Sequence, residues 1–178
     1  MRRTKAQHSP LLFAAVPLLV LVLLLWGTGI RFNLTPSLPL GFYRYTNEEP
    51  QRGMMVTFCP PADVATFALE RGYLHRGACE GGVQPLGKFI LAVPGDTVTI
   101  APDGLTVGGE RIPNSAVYWR DTMGRELLHL PFGSHVIGPD SLFMFSGHHP
   151  RSFDSRYFGP VASNHVISSA LPLKTFAD

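Results

Sequence analysis

Charge is scarce in this sequence. Only 16% of its 178 residues are Asp, Glu, Lys or Arg, against about 25% in an ordinary soluble domain. The formal net charge of +2 is also unevenly placed. Residues 1–31 hold four of the fifteen basic residues and no acidic one, leaving 11 basic against 13 acidic residues in the rest. A basic face for nucleic acid is therefore not indicated, and no nucleic-acid partner is expected. Cysteine is limited to Cys59 and Cys79. There is no C-x-x-C and no H-E-x-x-H, and the seven histidines show no recognisable ligand spacing, so neither a metal nor a cofactor is expected. G-x-S-x-G and S-x-x-K are missing too, which removes the usual hydrolase and penicillin-binding signatures. Gly and Pro, at 18 and 16 residues, stay below the roughly 25–30% that marks low-complexity chains. The chain can bury a core.

With so little charge, a mean hydropathy of +0.12 requires apolar sequence to be concentrated somewhere. It lies at the start. Leu11 to Ile30 reads LLFAAVPLLVLVLLLWGTGI without a charge, and as a helix it would span about 30 Å, the thickness of a bilayer core. Arg2, Arg3 and Lys5 precede it, so the positive-inside rule places residues 1–10 in the cytoplasm and residues 31–178 on the far side. Trp26 suits an interfacial anchor. A cleaved secretory signal is the competing reading, with Gly27-Thr28-Gly29 as the small-residue site.

Beyond residue 30 the pattern is mainly β. Short runs rich in Val, Ile, Phe, Leu and Thr occur at 53–58, 89–93, 97–100, 105–107, 110–112, 141–146 and 165–173. Turn signals such as Pro94-Gly95-Asp96 and Pro102-Asp103-Gly104 separate them. This predicts a folded β-ribbon or barrel rather than an α/β sheet. One short inserted helix is expected, capped by Asp63, carrying Val64, Phe67, Ala68 and Arg71 at helical spacing and ending at Gly72. Cys59 and Cys79 flank it. An oxidising compartment would let them pair, and two buried thiols are the alternative.

Gly82 to Lys88 imitates a phosphate-binding loop, but Phe89 replaces the required Ser or Thr and the following run reads as a strand. Lys88 is more informative. It and Lys174 are the only lysines after residue 31, and it opens the run Phe89-Ile90-Leu91-Ala92-Val93. Burial there would lower its pKa and make it a candidate general base; a lysine whose amine snorkels to water is the other reading. Ser37 lies seven residues past Ile30, between Pro36 and Pro39. That is at most about 25 Å of extended chain from the apolar run.

The order of Ser37, Lys88 six residues ahead of Pro94-Gly95-Asp96, and Ser152-Phe153-Asp154-Ser155-Arg156-Tyr157 resembles type I signal peptidases. Housekeeping members carry Met after the nucleophile, Arg after the lysine and a distal Gly-Asp-Asn-Arg. Here those places hold Leu38, Phe89 and Ser146-Gly147-His148-His149. The Thr-Pro-Ser-Leu-Pro-Leu-Gly and Lys-Phe-Ile-Leu-Ala-Val-Pro-Gly-Asp segments and the cysteine pair are more similar to the conjugative-transfer branch. The resemblance implies a signal peptidase I-like β fold and a membrane-anchored serine peptidase. It makes Ser37 the nucleophile, Lys88 the base, Thr35 a candidate oxyanion donor and Ser152 the residue that orients the lysine. Asp154 and Arg156 become a structural pair or catalytic support. It further implies a bacterial inner-membrane protein with a periplasmic catalytic domain, acting through an acyl-enzyme on a membrane-inserted propilin that is then cut or circularised. A general signal peptidase and a non-enzymatic anchored β-domain are the alternatives.

Overall fold

The computed structural model describes residues 15–17, 19–20, 24, 27–35 and 37–176. The expected basic terminus 1–10 and half of the expected anchor 11–30 lie outside these residues. Among the described residues no helix is long and apolar enough to cross a membrane.

The domain is mainly β. Its strands are β1 (Ile30–Asn33), β2 (Gly41–Thr46), β3 (Met55–Phe58), β4 (Leu86–Ala92), β5 (Thr97–Ala101), β6 (Gly104–Val107), β7 (Glu110–Arg111), β8 (Gly133–Val136), β9 (Ser141–Phe145), β10 (Val161–Ala162) and β11 (Val166–Thr175). All paired neighbours are antiparallel. They form a seven-stranded sheet in the order β1-β2-β11-β3-β4-β9-β10 and a four-stranded sheet in the order β7-β6-β5-β8. The seven predicted runs all become strands, with ends displaced by up to three residues. Four strands escaped the sequence reading. β1 is the tail of the apolar run, β8 is Gly-Ser-His-Val, β10 has two residues, and β2 is held between β1 and β11 by pairing that no local pattern announces.

Helix α1 (Ala62–Glu70) is the expected insertion, with one correction. Its N-cap is Pro61, and no side chain caps it. Asp63 instead lies in the first turn, where a carboxylate still favours the helix dipole. Gly72 follows the C-terminus at φ +72°, a conformation that glycine adopts without penalty. A second helix, α2 (Ser155–Phe158), is a single turn capped by Asp154, whose side chain accepts the Arg156 N–H.

Cys59 and Cys79 are bridged, with their Cα atoms 5.4 Å apart. The bridge packs with Ala65 and Val83 and ties the excursion carrying α1 back to the end of β3. Closing a loop of this length contributes about 3 kcal/mol in the chain-entropy account. Reduction under native conditions is therefore expected to lower the unfolding free energy in urea by roughly that amount. An unchanged midpoint after verified reduction would show that the excursion is held by packing alone.

The core is built from alternating strand faces. Along β4, Leu86, Lys88, Ile90 and Ala92 are buried while the intervening residues are only partly so. Val98, Ile100, Leu105, Ile137, Phe143 and Phe145 form one apolar cluster. Val56, Phe58, Ile90, Met144 and Val161 form another. A smaller cluster of Leu38, Tyr43, Met55 and Ala170 fastens the segment after β1 to the large sheet.

Candidate active site

The period-two alternation that buries Ile90 also turns Lys88 inward. Only 2% of Lys88 is exposed, so the snorkelling reading fails. Burial is the largest cause that lowers its pKa, to about 8; the Asp154 charge opposes this and Arg156 adds to it. The amine donates a hydrogen bond to Ser152 Oγ at 2.8 Å. Among the described residues its hydrogen-bond partner is Ser152 rather than Ser37.

Ser37 and Lys88 nevertheless face one cavity of about 380 Å³, which Thr35 and Ser152 also line. Three groups of residues that are far apart in sequence meet there. The Ser37 loop is held from below by Leu38, which is 1% exposed. Gly87 makes this seat possible, since a Cβ on it would lie 2.9 Å from Leu38 Cδ1. Asn33 holds the loop from the side. Its Nδ2 donates to the carbonyls of Thr35, Leu38 and Pro39, each at 3.2 Å. Its Oδ1 accepts the Thr35 N–H at 3.2 Å and the Thr35 hydroxyl at 2.7 Å. The Tyr43 hydroxyl adds a bond to Pro39 O at 2.9 Å. The Thr35 proton is thus engaged with Asn33, and its hydroxyl must rotate before it can donate into the cavity.

Asp154 and Arg156 do not line the cavity but lie behind it, with no side-chain exposure. Arg156 donates to both Asp154 oxygens, at 2.8 and 2.9 Å. It also donates to the carbonyls of Ala116 at 2.7 Å and Ser152 at 3.0 Å. Its guanidinium sits 4.9 Å over the Phe145 ring. The pair therefore fixes the turn that carries Ser152. The Ser155 hydroxyl accepts the Met144 N–H at 2.9 Å and binds that turn to β9.

Several cavity residues were not anticipated. Tyr73, from the disulfide-tied excursion, donates its hydroxyl to Asp121 at 2.6 Å, and Arg125 holds the same carboxylate at 2.6 Å. Burial opposes ionisation of Asp121, but the bonds from Tyr73 and Arg125 prevail and keep its carboxyl well below the usual range. Tyr118 completes that wall, with Arg151 4.2 Å over its ring. Of these residues and the loop anchors, only Asn33 had a local signal: an Asn two residues before Thr is a natural Asx-turn.

The sequence profile described as "Signal peptidase, peptidase S26" matches residues 5–173. A "Conjugal transfer protein TraF" of Agrobacterium tumefaciens is 44% identical over 153 residues, covering 83% of this chain and 84% of that protein. A "Plasmid transfer protein TraF" of Escherichia coli is 35% identical over 176 residues, covering 98% and 99%. Among solved structures, a signal peptidase I from Enterococcus faecalis V583 aligns over 70% of this chain and 98% of its own, at 20% identity and a TM-score of 0.41. With Ser37, Lys88 and Ser152 lining one cavity and the profile spanning nearly its whole length, this chain belongs to the signal peptidase family, peptidase S26.

Proposed function

We propose that the chain is a serine endopeptidase with a Ser37–Lys88 dyad that matures the propilin of a conjugative transfer apparatus. The observation that carries the reading is Lys88. A buried amine with its pKa near 8, on the same cavity as Ser37, is a base close to its operating pH. In the forward step Lys88 Nζ takes the Ser37 hydroxyl proton as Ser37 Oγ attacks the scissile carbonyl carbon. The backbone N–H of Ser37 and, after rotation, the Thr35 hydroxyl are the oxyanion donors. Collapse breaks the C–N bond, the Lys88 ammonium returns its proton to the leaving amine, and the acyl group remains as an ester on Ser37. Asp154 and Arg156 support the turn that presents Ser152 to Lys88.

The proposal includes residues 11–30 as a single anchor in the bacterial inner membrane, with the N-terminus cytoplasmic and the catalytic domain periplasmic. Phe32, Phe42 and Phe176 support it. They cluster on the surface beside the first residues of β1, with ring centroids 4.8–6.4 Å apart. Exposed aromatics next to an apolar run fit a bilayer interface. A nucleophile so close to that surface suits a precursor that is itself membrane-inserted. The conjugal and plasmid transfer relatives supply the system.

The ester is open to water or to an amine, and the N-terminal amine of the same pilin would give a cyclic product. Mass spectrometry of propilin processed by the purified chain is expected to show a species lighter than the linear product by one water. A linear product limits the enzyme to hydrolysis. Intact propilin, with cleavage of other exported precursors, would favour a general signal peptidase.

A further inference from the structure

Ser146 carries a buried hydroxyl that the catalytic steps above do not use. It follows β9 directly and is completely buried. Its hydroxyl donates to the backbone carbonyl of Ser37. Its own N–H is held by Asp154 Oδ2 at 3.4 Å. The buried carboxylate thus reaches the nucleophile's peptide through one residue, just as the Arg156 bond to the Ser152 carbonyl reaches the lysine's partner.

We infer that Ser146 is a positioning residue for the nucleophile, fixing the Ser37 peptide plane and with it the direction of the Ser37 side chain. This rests on the assignment of Ser37 as nucleophile. The physical case comes from where the loop is already held. Asn33 grips the carbonyls of Thr35, Leu38 and Pro39, and Leu38 is seated in the core. Those contacts flank Ser37 on both sides without fixing its own carbonyl. Ser37 is in a loop, where backbone orientation is soft. Acyl transfer requires its Oγ within near-attack distance of a carbonyl, and small misplacements are costly. The Ser146 hydroxyl supplies the missing restraint from just beyond the end of β9. Its hydroxyl bonds the Ser37 carbonyl, whereas the Lys88 amine bonds Ser152, so the two hydrogen bonds restrain different members of the site.

The test uses the full chain purified in detergent, with full-length propilin as the probe, comparing the wild type with Ser146→Ala, Ser146→Thr and Ser37→Ala. Ser146→Ala removes one oxygen without adding volume. It is expected to lower kcat by about 10- to 100-fold at unchanged KM, with the pH midpoint of kcat and the thermal unfolding temperature held. Ser146→Thr, which keeps the hydroxyl, is expected to recover most of the loss. Ser146→Ala with kcat within about twofold of wild type overturns the inference, as does a loss that appears in KM or accompanies a lowered unfolding temperature. If Ser37→Ala retains processing or the wild type has none, the nucleophile assignment falls first, and this inference with it.

Discussion

Lys88→Arg is expected to reduce propilin processing by about 10²- to 10⁴-fold, the range general-base catalysis supplies, while the domain stays folded. Arginine remains protonated at any accessible pH and cannot accept the Ser37 proton. The wild-type profile should carry the signature of the group being replaced. In the proposed cycle Lys88 begins neutral, so activity should rise with pH through a midpoint near 8, with about a tenth of the plateau rate one unit lower. Stability supplies an independent check. The folded pKa lies below the ordinary value of 10.5, so the unfolded chain binds more protons between about 8 and 10.5 and Lys88's contribution to stability improves as pH rises through that window. Below it, the buried ammonium opposes folding by up to about 3 kcal/mol. Lys88→Met should therefore be inactive yet more stable than wild type in urea at pH 7. An active Lys88→Arg, or a Lys88→Met that is clearly destabilised, would remove the lysine from the role of buried base.

The second large effect is structural. Asp154→Ala is expected to cost about 3–5 kcal/mol of unfolding free energy, because it leaves Arg156 charged and buried without its partner. For a domain whose whole stability is about 5–15 kcal/mol, this is a severe loss. Activity should fall with it. Arg156 also holds the Ser152 carbonyl, and the Asp154 carboxylate holds the Ser146 N–H. Both restraints loosen together. Replacing the two residues at once, Asp154→Leu with Arg156→Met, should recover a good part of the stability but little activity, since the burial penalty disappears while the turn loses its hydrogen bonds. Urea unfolding of the three proteins decides it. A single Asp154→Ala costing under about 1 kcal/mol would mean that the pair is solvated in solution and does not organise the site.

What could be read from the sequence followed its local periodicity. Lys88 stood out in the sequence because it opens an apolar run, which left a buried base and a snorkelling amine both open; the alternation along β4, which turns every second residue inward, decides for burial. Its low pKa follows from the same geometry. The bridge between Cys59 and Cys79 was one of the two readings the sequence left open for the pair, and α1 followed from its helical spacing, although its cap did not. The missed features are long-range. β2 exists because β1 and β11 enclose it. Ser146 meets Ser37 across 109 residues, and Tyr73 meets Asp121 across 48. No window of sequence contains both members of such a pair. Thr35 shows a different limit. Its position in the motif suggested an oxyanion donor, but only the structure reveals that Asn33 already holds its proton. Motif spacing identifies which residues meet without stating which way their hydrogens point.

The most direct test of the central claim is the mass of the enzyme itself during turnover. Full-length chain mixed with propilin should be quenched in acid, digested and analysed by mass spectrometry. The account expects a pilin-derived acyl group on the peptide containing Ser37, accumulating faster at pH 8.5 than at pH 6.5 and missing from both Ser37→Ala and Lys88→Arg. Propilin processed at full rate by Ser37→Ala, or an acyl group found on any other residue, would contradict it.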